Sequence, residues 1–541
     1  IIKESGNSIK ADVIILGCTL PGIVTAHKLK RKFGDTVDIV VLDLASPTRT
    51  VSKCNVAFQE IDEQDATSRE HEFNQTAKQL LDNVARYYLA KYAGEFKMPL
   101  PDAVIHPTKV PSTPLHKLFQ YSNGSTVHCG NNFHDFDYLN LLERFEINQY
   151  QALLDRSMRD LFQTCNVDFT TDRSTLLLYD QTTMEKHICN ALFFSTSREI
   201  MRTTVGLVCG APADSVSVLF YLHQCYRTSS SRNHLDGDNT RLREKVLGYC
   251  RKRLSHKLFQ SIADITLTAK SIKEIRTYSD EQVILETMKG EKNYICHLLA
   301  MALKPDQLHS IQVEDQLLPE HLAAITSAMA PGRAKKFVVQ YQDNFWRKQG
   351  YSGDILSIRG PVIWAMERPK MSTTGSVEKY TTLIGYLMVV DNGLIDSKTA
   401  VLDQLVKIFG EEAATPISYK EVCVMDVFVP RCGDYVALRR LTLQGRPKNL
   451  EWGALDIFAD GDVAAALEAG HTAYLHLLSC LRPQAQTYED LCTVKWPIFL
   501  KEGPLNWWIA NINFVTSFRW TMYTAILCVG VKLLRSFMKR Q

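Results

Sequence analysis

The stretch Ala11–Asp43 reads ADVIILGCTLPGIVTAHKLKRKFGDTVDIVVLD. It contains an apolar run, a turn with Gly17 and Gly22, an amphipathic segment, and a second apolar run that ends at an acid. This order predicts a β-strand, a tight turn, a helix and a second, parallel strand. Such a unit places the pyrophosphate of a dinucleotide at the N-terminus of the helix.

The residues of this unit have predicted roles in such a site. Gly17 makes the turn, Gly22 lets the helix and the strand pack closely, and Asp43 can accept a hydrogen bond from a ribose hydroxyl. Thr19 replaces the glycine that brings the backbone near the pyrophosphate, and Pro21 lies in the same turn. We expect the side chain of Thr19 to point toward the phosphate oxygens. Two interpretations stay open: a weakened dinucleotide site, or a βαβ unit that binds no ligand.

Length and composition narrow the class of protein. A chain of 541 residues is too long for one ordinary domain, and 45% hydrophobic with 22% charged residues is typical of a globular protein with a large core. The net charge is +3, and the chain has no basic stripe with interleaved aromatic residues, so nucleic acid is not an expected partner. The 14 cysteines form no CxxC pair, which predicts buried thiols in a reducing compartment and neither a disulfide framework nor a metal site.

The spacing of apolar residues predicts the remaining elements. Helices are expected over 70–96, 136–164, 198–209, 213–227, 242–258 and 397–409, and strands over two runs within 262–287 and over 297–303, 337–341, 383–390 and 455–459. The segment 46–69 is predicted to be a solvated loop. The basic helix 242–258 is interpreted as a solvated face, with an anionic partner as the alternative.

Three stretches together resemble the flavin-containing monoamine oxidases, and the resemblance runs from about residue 10 to residue 480. Gly332–Gly353, GRAKKFVVQYQDNFWRKQGYSG, is similar to the segment of that family in which an active-site lysine precedes an aromatic strand and a Phe-Trp-basic-basic run. Val216–Cys225, VSVLFYLHQC, resembles a substrate-domain helix, and Asp456–Ala473, DIFADGDVAAALEAGHTA, resembles the closing flavin-binding strand and helix.

The resemblance implies an α/β (mixed α+β) fold with two domains: a Rossmann-like FAD/NAD(P)-binding domain and a mixed-sheet substrate domain. The expected boundaries are 10–85, 240–305 and 440–482 for the first domain, 86–239 and 306–439 for the second, and 483–513 for a linker. The implied chemistry is FAD-dependent oxidation of a primary amine to an imine, with oxygen taking the electrons as peroxide.

The same resemblance assigns candidate site residues. Lys336 falls on the catalytic lysine that holds a water near the flavin N5; the alternative is an ordinary half-buried lysine beside Lys335. The candidate cofactor-binding residues are Gly17, Gly22, Asp43, Arg49 and Asp462.

Several stretches depart from the family pattern. The glycine-rich segment that approaches the flavin has no counterpart in 57–69, and the closing Gly-Thr-Glu is replaced by Asp460-Gly461-Asp462, whose acids would repel a pyrophosphate. A loop that supplies one of two substrate-sandwiching tyrosines is deleted. Cys432 is out of register by one with the cysteine that links covalently to flavin, so FAD is expected to be noncovalent if it binds.

These departures lead to two main functional hypotheses, and a third interpretation keeps the fold but binds another ligand in the former substrate cavity. The first is an eroded site, weakly active or inactive, in a protein that acts through interactions, either with itself as a homodimer or with an unknown protein partner. The alternative is an active FAD-dependent amine oxidase that produces an aldehyde, ammonia and hydrogen peroxide from a small amine.

The C-terminal stretch Phe514–Leu534 is mostly apolar, with Arg519 and Lys532 near its ends, and the basic residues Arg535, Lys539 and Arg540 follow it. It predicts a helix that anchors the protein in a membrane. A peripheral amphipathic helix and a soluble packing helix are the alternatives. The resemblance implies the mitochondrial outer membrane, with the protein facing the cytosol; the other possibility is another cytosolic membrane surface.

Overall fold

The computed structural model describes residues 3–5, 8–44, 84–98, 115–130, 132–162, 174–227, 254–269, 271–288, 292–315, 317–318, 320–331, 334–367, 380–388, 397–423, 428–441, 449–459, 463–491 and 521–532. The predicted loop 46–69, Arg49, Asp460 and Asp462 lie outside these residues.

The strands belong to two large sheets and one short pair. In chain order they are β1 (Lys3–Ser5), β2 (Ser8–Leu16), β3 (Ile39–Leu44), β4 (His116–Gln120), β5 (Thr126–Cys129), β6 (Thr266–Ala269), β7 (Ile272–Ser279), β8 (Gln282–Thr287), β9 (Asn293–Met301), β10 (Gln312–Val313), β11 (Ala330–Pro331), β12 (Ala334–Tyr341), β13 (Tyr351–Ser357), β14 (Val362–Glu367), β15 (Thr381–Met388), β16 (Ser418–Cys423), β17 (Phe428–Val429) and β18 (Leu450–Glu451).

The first sheet has the strand order β10-β7-β8-β9-β2-β3-β6, with β1 beside β2 and β18 beside β9. Its centre is parallel, because β2 pairs in parallel with both β3 and β9, and β3 pairs in parallel with β6. The apolar runs of β2 and β3 are buried on both faces, as parallel strands covered by helices require. The carboxyl ends of these strands therefore meet at one edge of the sheet.

The second sheet has the order β16-β12-β15-β14-β13-β4-β5. It is antiparallel except between β13 and β4. Both sheets and the helices agree with the predicted mixed α/β fold. The domain boundaries stay a prediction.

The helices cover both sheets. They are α1 (Leu20–Phe33), α2 (Val84–Glu95), α3 (Leu141–Phe162), α4 (Ser174–Gln181), α5 (Met184–Ala191), α6 (Ser195–Cys209), α7 (Val218–Arg227), α8 (Pro305–His309), α9 (Glu320–Ala328), α10 (Phe345–Lys348), α11 (Ser397–Phe409), α12 (Tyr435–Leu441), α13 (Val463–Leu481) and α14 (Tyr488–Leu491). Residues 254–261 and 521–532 are also helical.

Helices α1 and α13 pack directly on each other beside the first sheet. The Thr25 hydroxyl in α1 donates hydrogen bonds to the backbone oxygens of Pro21 and Gly470, at 2.8 and 3.0 Å. Helices α3 to α7 form a layer whose apolar side chains belong to one continuous buried cluster with residues of the second sheet, including Trp364 and Phe119.

The predicted strand at 455–459 is wrong. Residues Asp456–Ala459 form a 3-10 helix. The backbone N–H of Asp456 donates to the oxygen of Leu303, two residues after β9, and the N–H of Phe458 donates to the oxygen of Leu455, so this segment makes a local turn against the first sheet. A short apolar run has no periodicity that would separate a buried strand from a buried turn.

The membrane helix predicted over 514–534 is not found. Within this stretch the structure describes residues 521–532, which are helical. Among the described helices, none is both long enough and apolar enough to cross a membrane. The apolar side chains of this helix, such as Ile526 and Leu527, are exposed.

Candidate functional site

The turn between β2 and α1 lies at the carboxyl edge of the first sheet. Gly17 has a φ of +108°, and a Cβ placed on it would lie 2.0 Å from the backbone oxygen of Ala302. A Cβ on Gly22 would lie 2.4 Å from the Cβ of Ala302. Both glycines are therefore required by the close approach of the turn to the residue that follows β9, whether or not a ligand binds.

Hydrogen bonds hold this turn between the neighbouring strands. The N–H of Gly17 donates to Leu42 of β3 at 2.8 Å, and the N–H of Ala302 donates to Leu16 of β2 at 2.7 Å. The Thr19 hydroxyl donates to the Ala302 oxygen at 2.9 Å. We expected the Thr19 side chain to point toward the phosphate oxygens, but its hydroxyl is hydrogen-bonded to the protein backbone instead.

The helix that follows the turn offers fewer donors than usual. Thr19 is the N-cap of α1, and Pro21, in the first turn of that helix, has no N–H to donate. The other backbone N–H groups of the first turn remain at the positive end of the helix dipole, which favours an anion. Asp43 lies half-buried near the end of the adjacent strand β3. A helix N-terminus beside an acid at the carboxyl edge fits the pyrophosphate and ribose of a dinucleotide.

Lys336 lies on β12 in the second sheet, and side-chain alternation separates it from Lys335. Phe337 and Val339 point into a buried cluster beneath α11, on the same face as Lys335. Lys335 forms an ion pair with Glu421 on that face, with 3.8 Å between Nζ and Oε2. Lys336 points to the opposite face, which we call the inner face of the second sheet.

The strand register places an aromatic row beside Lys336 on the inner face. Lys336 is opposite Tyr386 of β15, Tyr386 is opposite Trp364 of β14, and the row continues through Leu356 of β13 to Phe119 of β4. The Lys336 Nζ lies 5.7 Å from the centre of the Tyr386 ring, and the Tyr386 and Trp364 rings are 5.7 Å apart. Lys336 is half-buried, so its ammonium is placed against an apolar, π-rich wall.

A buried ion pair lies close to this row. Lys117 of β4 and Asp354 of β13 are 6% and 2% exposed, and their Nζ and Oδ2 atoms are 3.7 Å apart. The carboxylate of Asp354 is therefore balanced by a lysine of the protein.

On the helical side, one segment after β17 carries Cys432 and Tyr435. The Cys432 thiol donates to the backbone oxygen of Asp180 at 3.1 Å. Burial, together with the charges of Asp180 and Asp434, raises the pKa of Cys432, so the thiol stays protonated and is a poor nucleophile. The Tyr435 hydroxyl is 2.6 Å from Nδ1 of His223.

Comparison with known proteins finds relatives of one kind. No family model matches the chain. The chain is 23% identical over 250 residues to Probable flavin-containing monoamine oxidase A of Dictyostelium discoideum, covering 45% of this chain and 53% of that protein. It is 24% identical over 227 residues to a Mycobacterium tuberculosis protein assigned as flavin-containing monoamine oxidase AofH, covering 42% of this chain and 48% of the relative. The match thus spans about half the length of these curated relatives.

Solved structures extend the likeness over most of the chain. Wild-type putrescine oxidase bound to putrescine superposes with a TM-score of 0.64 at 14% identity, covering 87% of this chain and 100% of that one. Cyclohexylamine oxidase from Brevibacterium oxydans IH-35A gives a TM-score of 0.58 at 17% identity, covering 86% and 99%. This chain shares the fold of putrescine oxidase and cyclohexylamine oxidase, and it is similar in sequence to flavin-containing monoamine oxidases over about half of their length.

The amine oxidase fold separates the predicted site residues into two groups. Gly17, Gly22 and Asp43 converge at the carboxyl edge of the first sheet, and Lys336 lies on the inner face of the second. The aromatic partners of Lys336, Tyr386 and Trp364, were not predicted from the sequence. Their signal is the pair of adjacent apolar strands β14 and β15, of which β15 pairs with β12.

Proposed function

We propose that the chain is an FAD-dependent amine-oxidase-like enzyme that holds its flavin noncovalently and oxidises an apolar primary amine. The observation that carries the proposal is the position of Lys336 on the aromatic inner face, rather than on the opposite face with Lys335. The names of the curated relatives supply the flavin and the amine.

The residues at the carboxyl edge would hold the dinucleotide. The N-terminus of α1 is suited to the pyrophosphate, and Asp43 is suited to a ribose hydroxyl. When bound, FAD would accept the two electrons of amine oxidation and pass them to oxygen. The protonated Cys432 supports a noncovalent complex, because a thioether needs a reactive thiolate.

The inner face would select the amine. Tyr386, Trp364 and Phe119 offer apolar and aromatic surface, and the Lys336 ammonium would donate a hydrogen bond to a water or an amine nitrogen. Such a wall favours the neutral form of the amine, because an unpaired ammonium is costly to desolvate. Asp354 is already paired with Lys117, so the second cation of a diamine would lack a carboxylate there. The proposed substrate is therefore a monoamine.

The first experiment is a visible absorption spectrum of the purified protein after incubation with FAD and again after acid precipitation. We expect a flavin spectrum that moves into the supernatant on precipitation, as noncovalent binding requires. Peroxide release is then measured with cyclohexylamine, benzylamine and putrescine. We expect the two monoamines to be preferred.

The matched variants are Lys336→Met and Lys335→Met. Loss of Lys336 is expected to lower kcat/KM by about 100-fold, a typical effect of removing a group that handles a proton or stabilises charge. Lys335→Met is expected to stay close to wild type, because that lysine is on the other face. Equal activity of the two variants would contradict the role of Lys336.

A second candidate function is the catalytically weak protein that acts through interactions. The packing against Ala302 accounts for Gly17 and Gly22 without a ligand, and Pro21 removes a donor from the helix that would bind the pyrophosphate. A protein that stays colourless after incubation with FAD would favour this candidate. The position at the cytosolic face of the mitochondrial outer membrane, and any homodimer or other protein partner, stay proposals made from the resemblance.

A further inference from the structure

Asp180 is a buried carboxylate that caps another part of the chain. It lies near the end of α4 and is 1% exposed. Its two carboxylate oxygens accept the backbone N–H groups of Val436 at 2.9 Å and Tyr435 at 3.3 Å, which begin α12. The Ser217 hydroxyl donates to the same carboxylate. Asp180 therefore satisfies helix-end donors that have no partner inside their own helix.

The same residue also fixes the start of this segment. The Cys432 thiol donates to the backbone oxygen of Asp180 at 3.1 Å, so one residue holds both Cys432 and the first turn of α12. Burial raises the pKa of Asp180 more than the bonds from Val436, Tyr435 and Ser217 lower it. The site is thus dry, and a hydrogen bond lost there is not replaced by bulk water.

The segment held by Asp180 carries a buried tyrosine–histidine pair. Tyr435 is fully buried, its hydroxyl is 2.6 Å from Nδ1 of His223 on α7, and the Phe220 ring meets it edge-on at 5.1 Å. Tyr435 and Phe220 belong to the same buried cluster as Trp364 of the inner face. Tyr435 and the aromatic row therefore belong to one continuous buried cluster, on its helical side and its sheet side respectively.

We propose that Asp180 is a positioning residue for this wall: it holds Tyr435 against His223 and keeps the Cys432 thiol hydrogen-bonded at the edge of the flavin and amine site. This inference rests on the proposed function. Asp180 itself is not assigned any contact with the substrate or with the cofactor.

Glu146 provides a matched control. It is 2% exposed, lies on α3 in the same helical layer, and accepts the backbone N–H groups of Phe193 and Phe194 just before α6. The substitutions Asp180→Asn and Glu146→Gln both exchange a buried capping carboxylate for an amide of the same shape. We expect both variants to lower the thermal unfolding midpoint, so stability alone does not distinguish them.

Two other readouts do distinguish them in the full-length protein. One is the rate at which iodoacetamide labels Cys432, followed by peptide mass spectrometry, and the other is the visible spectrum of bound FAD. We expect iodoacetamide to label Cys432 at least about fivefold faster in Asp180→Asn than in wild type, which is the change produced when a local structure loses a modest part of its stability. We also expect this variant to shift the flavin bands or to weaken FAD retention. Glu146→Gln is expected to match wild type in both.

Labelling of Cys432 at the wild-type rate in Asp180→Asn would overturn the inference. Faster labelling with an unchanged flavin spectrum and FAD affinity would also overturn it, because the segment would then not border the site. A wild-type protein that takes up no FAD overturns the proposed function, while the labelling comparison still decides whether Asp180 holds the segment. If Asp180→Asn does not fold, Ser217→Ala removes one donor to Asp180 and is expected to shift both readouts in the same direction by a smaller amount.

Discussion

The turn after β2 and the strand β12 both match the amine oxidase family, but for different physical reasons. At the turn, Gly17 and Gly22 leave no room for a Cβ against Ala302, so packing alone dictates these residues. On β12, Lys336 is half-buried, and its Nζ lies 5.7 Å from the centre of the Tyr386 ring. A match at the turn therefore reports the fold, whereas we propose that the match at Lys336 reports chemistry.

Most of Gly332–Gly353, the most specific sequence match, stabilises the fold. Trp346 and Arg347, from the Phe-Trp-basic-basic run, both donate to Oε2 of Glu367, at 2.9 and 2.8 Å. Glu367 is 6% exposed, and Trp346 is fully buried. This run holds α10 onto the second sheet and takes no part in the proposed reaction. Within that stretch, the proposed function depends on Lys336.

The largest expected effect tests the turn. Gly17→Ala would place a Cβ against the Ala302 oxygen in a backbone conformation that side chains rarely adopt, so we expect a loss of about 4 kcal/mol or more in unfolding free energy. Gly94→Ala is the control, because Gly94 lies in α2 with open space around its Cα. Urea unfolding of both variants measures the difference. Equal stability would mean that the turn does not dictate its glycines.

The next effect tests how α1 is held beside the turn. Glu95 of α2 accepts hydrogen bonds from His27 and Lys28 of α1, both at 2.7 Å, and pairs with Arg31. We expect Glu95→Gln to lower the unfolding free energy by about 2 to 3 kcal/mol near neutral pH, because Lys28 and Arg31 lose their carboxylate partner and the hydrogen bond with His27 weakens.

The pH dependence of this variant follows from the pKa of Glu95. Burial raises that pKa, but the bonds from His27, Lys28 and Arg31 outweigh burial and hold it well below its ordinary value of 4.5. The stability from Glu95 is therefore complete above pH 4.5 and is lost as the pH falls toward the lowered value. Unfolding at a series of pH values should show a constant gap between wild type and Glu95→Gln above about pH 5.5 that narrows below about pH 4. A gap that widens in acid would contradict this account.

A smaller loss is expected at the Phe-Trp-basic-basic run. Glu367→Gln removes the charge that faces Arg347 and weakens the bond from Trp346, at a cost of about 1 to 2 kcal/mol. Lys348→Met, which removes an exposed ion pair with Asp343, is the control and should leave stability close to that of wild type. We expect the FAD spectrum of Glu367→Gln to stay that of wild type. A changed spectrum would place this run at the site after all.

Sequence patterns predicted the elements whose signal is local. The helix expected over 397–409 is found as Ser397–Phe409, and the βαβ order of Ala11–Asp43 is found with β2 and β3 in parallel. The missed features depend on partners far away in the chain. Asp180 caps a helix that begins at Tyr435, and no pattern near either residue indicates the other. Tyr386 and Trp364 acquire their place beside Lys336 only through the strand register.

The smallest expected effect on stability tests whether packing dictates Lys336 as it dictates Gly17. Lys336→Met keeps the apolar stem of the side chain and removes a half-buried ammonium, so we expect the unfolding free energy to change by no more than about 0.5 kcal/mol. Lys335→Met, which breaks the pair with Glu421, is the control and should change it by a similar amount. A loss above about 2 kcal/mol in Lys336→Met alone would mean that packing dictates this lysine as it dictates Gly17. Its match to the family would then report the fold, and its activity measurements could not be interpreted as chemistry.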